Sequence, residues 1–187
     1  MKKQLSLLIG PFFLGLLLSP NPSFSQCLQD KGTTSINFVK NLYDWYKKQD
    51  EKAYSKIFSE KKTCFTPELF KLMEREHRGS SACPGKTFLD YDPIIGSNAF
   101  VPAEVTARVG KEESVKGITN VSVDLSYAGS NATHTVTVEL VRNPFWQIND
   151  LVDPNASSKT NRSFTIVLKK LNQDIDGCIQ KNKKHSP

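Results

Sequence analysis

The sequence predicts an α+β fold, with N-terminal helices packed on a curved antiparallel sheet and one more helix at the C-terminal end. Three observations predict it. Up to Gly79, apolar residues recur at three- and four-residue steps, the rhythm of a helix face. Beyond Pro102 they recur at every second residue, the rhythm of a strand with one buried side. The later runs are separated by short turns rather than by helix-length segments, which favours antiparallel neighbours over a parallel α/β sheet. A bent sheet wrapped on a long helix makes a cone with an open mouth.

The chain has 187 residues, 38% hydrophobic and 24% charged, with a formal charge of +6. That composition can build a core and is too apolar for a disordered chain. Residues 1–25 read as a removable secretory signal. Lys2 and Lys3 precede the uncharged run Leu5 to Leu18, Pro20 and Pro22 break any helix, and Ser23 and Ser25 are small residues at a cleavage site. The run is shorter than the ~18 residues that span a bilayer, so no stable membrane insertion is expected once it is removed. Without Lys2 and Lys3, 23 basic residues face 19 acidic ones. That balance gives no nucleic-acid surface. The expected location is periplasmic or extracellular, with a single domain over residues 26–181 and a disordered basic tail at 182–187.

The four cysteines, Cys27, Cys64, Cys83 and Cys178, suit disulfides in an exported chain. Neither a C-x-x-C nor paired histidines are present, so no metal site and no cofactor are expected. Of the three pairings, Cys64–Cys83 closing a local loop with Cys27–Cys178 tying the ends is preferred, each bond contributing about 3 kcal/mol.

Along the chain, Ile36, Val39, Leu42, Tyr43 and Tyr46 predict a helix over 35–48, capped by Thr34 or Ser35 and widened by Phe38 and Trp45. Asp50 is expected to cap a short second helix ending near Phe58. Thr66-Pro67-Glu68 is a third helix start, with a capping threonine, proline at the first helical position and an acid in the first turn. Gly79 and Ser80-Ser81 are expected to end that helix. Residues 84–103 form a loop apolar enough to pack down. Strands follow at Val105–Val109, Val121–Leu125, Thr133–Val141 and Phe145–Val152, with Ala128 to Asn131 as a hairpin turn and Gly110 and Gly117 as turn residues. In the last strand Trp146, Ile148 and Asp150 are expected on one face. A final helix starts at Ser163, with Phe164, Val167, Leu168, Leu171, Ile175, Cys178 and Ile179 as its apolar stripe.

Three segments stand in order: Phe38 to Tyr46, Tyr91-Asp92-Pro93-Ile94-Ile95, and Trp146 to Leu151. In them the chain resembles a family of exported bacterial domains of unknown function in the NTF2-like (cystatin-like) superfamily, over most of residues 34–175. The resemblance implies a helical N-terminal half, an NTF2-like cone and a tryptophan-bearing last strand, and no established activity. In enzymes of that superfamily, acid and base residues line the cone mouth. By that resemblance Asp150 and Asp92 are the candidate catalytic carboxylates, with Asp44 beside them, and Tyr43, Tyr46 and Tyr91 are hydrogen-bond donors.

Tyr43, Tyr46, Tyr91, Trp146 and Asp150 are also the candidate ligand-binding residues. The leading expectation is a non-enzymatic binding module for a small apolar ligand or a partner protein. The alternatives are an acid-base enzyme acting in the cone and an envelope immunity or inhibitor protein. The sheet also leaves room for a homodimer. Lysines 47, 48, 52, 56, 61 and 62 form a basic face diluted by Asp50, Glu51 and Glu60.

Overall fold

A computed structural model of the chain describes residues 27, 32–50, 52–83, 89 and 91–184. The expected signal at 1–25 lies outside them. Helix α1, Ser35–Lys47, starts where Thr34 accepts a hydrogen bond from the Asn37 N–H, and it buries Phe38, Val39, Leu42, Tyr43 and Tyr46. Helix α2, Ala53–Glu60, buries Ala53 and Ile57. It starts at Lys52 without a side-chain cap; Asp50 accepts instead from the Lys52 N–H at 3.0 Å. Helix α3, Pro67–Ala82, has Thr66 as its cap, accepting from the Leu69 N–H, with Pro67 in the first turn.

The sheet is antiparallel in the order β1 (Val105–Val115), β2 (Ile118–Tyr127), β3 (Thr133–Arg142), β4 (Trp146–Val152). Its core face carries Val121, Val123, Leu125, Val136, Val138, Leu140 and Ile148 against the helical layer. The other face is polar, and there Thr135 donates to Asp124 across the strands. Lys116 (φ 52°) and Gly117 (φ 83°) make the two-residue turn between β1 and β2, which needs left-handed backbone at both positions. Phe65 pairs with Ile148, so the segment entering α3 covers the β4 edge. Helix α4, Lys159–Arg162, leads into helix α5, Phe164–Lys184, which packs on α3 and β4. No helix of the described residues is long and apolar enough to cross a membrane.

Further expectations change. The disulfides are Cys27–Cys64 and Cys83–Cys178, not Cys64–Cys83 and Cys27–Cys178. The reason is α3 itself. Its 16 residues hold Cys64 and Cys83 about 24 Å apart along a rigid rod, far beyond bridging distance.

Gly79 does not end α3, which continues to Ala82; it sits where α5 crosses, and a Cβ there would lie 2.5 Å from the Ile175 Cδ1. Gly110 is no turn residue but lies within β1 at its bulge, against the Ser122 side chain. In β4, Ile148 pairs with Leu140 and Asp150 with Glu139, so Asn149 is an extra residue. That bulge turns Asp150 to the face opposite Trp146 and Ile148. The last helix, α5, ends at Lys184.

Candidate functional site

Three tyrosines pin the segment 92–95 to the core. Tyr43 donates to the Ile94 carbonyl at 2.9 Å and Tyr127 to the Ile95 carbonyl at 2.8 Å, while the Tyr46 hydroxyl donates to the Asp92 carboxylate. The other Asp92 oxygen accepts from the Ile94 N–H at 2.9 Å and the Ile95 N–H at 3.4 Å. Burial, reinforced by the Asp92 charge, pushes the Tyr43 and Tyr46 hydroxyls well above the ordinary phenol range. Asp92 is itself raised, because desolvation outweighs the hydrogen bonds it accepts. Glu76, only 5% exposed on α3, accepts from the Leu89 N–H at 3.2 Å and is raised by burial. Two carboxylates thus tie Leu89 and the segment 92–95 to the helices.

Between this segment, β3, β4 and α5 lies a cavity of about 750 Å³. Its walls are apolar: Leu89 from the loop, Val136 and Leu151 from the core face of the sheet, and Phe164, Val167 and Leu171 from α5. The rim is polar, with His134, Asp153, Asn161, Arg162, Lys170 and Asp174. His134 shares the core-face parity of Val136 and Val138, which brings its ring against Gly96. Gly96 has φ 64°, and a Cβ there would strike the imidazole. His134 Nε2 stands 3.8 Å from an Asp153 carboxylate oxygen; the other oxygen accepts from the Asn155 N–H at 2.8 Å. The Asp153 N–H donates to the Arg162 carbonyl at 2.8 Å, folding the α4 segment over the end of β4. The volume and the combination of an apolar wall with a polar rim suit a small organic molecule.

A smaller cavity of about 250 Å³ lies between α1 and β1, lined by Lys40, Tyr43, Asp44, Tyr46 and Lys47 among others. The candidate residues named from the sequence are therefore dispersed. Tyr91 lines the large cavity and Tyr43 and Tyr46 the small one. Trp146 and Asp150 are among the lining residues of neither. Trp146 donates from Nε1 to the Thr33 carbonyl at 2.9 Å, with Arg142 over its ring. Asp150 is 7% exposed and holds the start of α5. Asp92 and Asp150 each engage both oxygens with protein donors, and Asp44 is exposed on α1.

The chain matches no protein-family model, no curated protein and no solved structure.

The sequence reading missed His134, Asp153, Arg162 and Lys170. His134 had a visible signal, since it alternates in register with Val136, Val138 and Leu140. Arg162 and Lys170 had a weaker one, their four-residue spacing about Ile166.

Proposed function

We propose that this chain is an exported binding module with an NTF2-like arrangement of helices on a cone-shaped sheet, which takes up a small, largely apolar ligand. The observation that carries the reading is the cavity of about 750 Å³ walled by Leu89, Val136, Leu151, Phe164, Val167 and Leu171. Apolar area removed from water there contributes roughly 25 cal/mol per Å² to ligand binding. The two disulfides and the lack of a membrane-spanning helix among the described residues are compatible with export. An acid-base enzyme has less support, because Asp92 and Asp150 are engaged in holding backbone and neither lines the cavity.

Calorimetric titration with dodecanol tests the reading. Saturable one-to-one binding is expected, and the cavity-filling change Val167→Trp should abolish it while the far-UV spectrum stays unchanged. Absence of binding by dodecanol and by every other apolar probe of similar size overturns it.

A further inference from the structure

We propose that the ligand of the large cavity carries an anionic head group, held at the rim by Arg162 and Lys170, on an apolar body of the kind an acyl chain provides. The inference rests on the binding reading above and names its chemical class. It comes from where the rim charges are directed. His134 and Asp153 face one another at 3.8 Å. On α5, Lys169 turns away to Glu68 at 3.4 Å, and Asp176 pairs with Arg75, so those charges serve the contact with α3. Arg162, Lys170 and Asp174 remain on the rim with no ion-pair partner among the described residues. The rim holds two cations and two carboxylates; Asp153 is directed at His134 and the Asn155 N–H, so the cations Arg162 and Lys170 are the rim charges on either side of Ile166.

The arrangement also fits an amphiphile rather than a small free anion. Arg162, Ile166 and Lys170 follow one another at four-residue steps through the junction of α4 and α5, and all three line the cavity. Ile166 is 47% exposed, an apolar side chain between two cations with water on one side. Behind it, Val167 and Leu171 continue the apolar wall inward. A ligand with its charge at the lip and its chain on that wall covers Ile166 and satisfies both cations. Arginine's fork suits a carboxylate or a phosphate equally, whereas the ammonium of Lys170 acts as a point charge.

Titration of the mature, disulfide-bonded chain with dodecanoate, dodecanol and dodecyltrimethylammonium, each below its micellar range, tests this. Dodecanoate is expected to bind about tenfold more tightly than dodecanol, the ratio that two partly exposed ion pairs supply. Added salt should shrink that ratio. A parallel titration with dodecyl phosphate separates the two head groups, and preference for either anion over the alcohol supports the proposal. In the double variant Arg162→Gln, Lys170→Gln the preference should vanish while dodecanol affinity holds. Both positions are exposed, so the fold is retained. Equal binding of acid and alcohol, or preference for the quaternary amine, overturns the head-group proposal and leaves the apolar cavity standing. Binding by none of the probes overturns the binding reading itself.

Discussion

One carboxylate oxygen of Asp150 holds the first turn of α5 through Thr165, accepting from its N–H at 2.8 Å and from its hydroxyl at 3.0 Å. The same oxygen accepts from the Leu151 N–H at 2.9 Å, and the other accepts from the Ser163 hydroxyl. A negative charge at a helix start also complements the helix dipole. Asp150→Ala strands these donors and should destabilise the fold by about 2–3 kcal/mol. Asp150→Asn, which keeps an acceptor, should cost less. Urea denaturation of the three proteins checks this; a change below about 0.5 kcal/mol for the alanine variant would show the anchor to be dispensable.

Glu76 and Asp92 should make the protein more stable in mild acid than at neutral pH, as far as these two groups decide it. Burial raises both above the ordinary carboxylate range, so the folded chain holds their protons more tightly than the unfolded chain does. Their stabilising contribution is fully present below the unfolded-state values and is lost as pH rises through the raised folded-state values. Glu76→Gln keeps an acceptor for the Leu89 N–H and removes the charge. Its stability relative to wild type should therefore grow as pH increases from the ordinary carboxylate range towards neutral. Denaturation curves across that range are the measurement, and a difference that shrinks on the way up contradicts the assignment.

What could be read from the residues was local. Thr34 and Thr66 cap helices as their side-chain chemistry requires, and the alternation Val121-Val123-Leu125 sets the buried face of β2. What could not be read depended on one element meeting another. A one-residue bulge at Asn149 leaves no mark in an alternating pattern, yet it moves Asp150 to the other face and turns a candidate base into a helix anchor. Tyr43 and Tyr46 have the spacing of ligand-facing aromatics, but their hydroxyls are spent on segment 92–95. The cavity itself needs α5 laid beside β4, a placement that no single stretch of sequence encodes.

The disulfide pairing yields a direct chemical test. Protease digestion without reduction should release linked peptides joining Cys27 to Cys64 and Cys83 to Cys178, and none joining Cys64 to Cys83. The second bond closes 95 residues of chain, so its loss through Cys83→Ser with Cys178→Ser should cost about 4.7 kcal/mol. The first spans 37 residues and should cost about 1 kcal/mol less, about 3.8 kcal/mol. Chemical denaturation of the two double variants would rank them, and the reverse ranking would count against a role of chain restriction.

Gly79 separates helix propensity from packing. In an exposed helix interior, Gly→Ala stabilises by about 1 kcal/mol, because alanine loses less backbone entropy. Here the new methyl carbon would fall 2.5 Å from Ile175 Cδ1 and 2.7 Å from its Cγ2, where α3 and α5 cross. Ile175 is buried, and its Cγ2 branches directly from Cβ, so relieving both contacts requires the whole side chain to shift. Gly79→Ala should thus destabilise, by about 1–3 kcal/mol as for other overpacked cores. Combining it with Ile175→Ala should recover part of the loss, giving a coupling between the two sites in a double-mutant cycle. Additive effects in that cycle, or a stabilised Gly79→Ala protein, would mean that α3 and α5 do not cross at this glycine. The α5 wall of the cavity would then have to be redrawn.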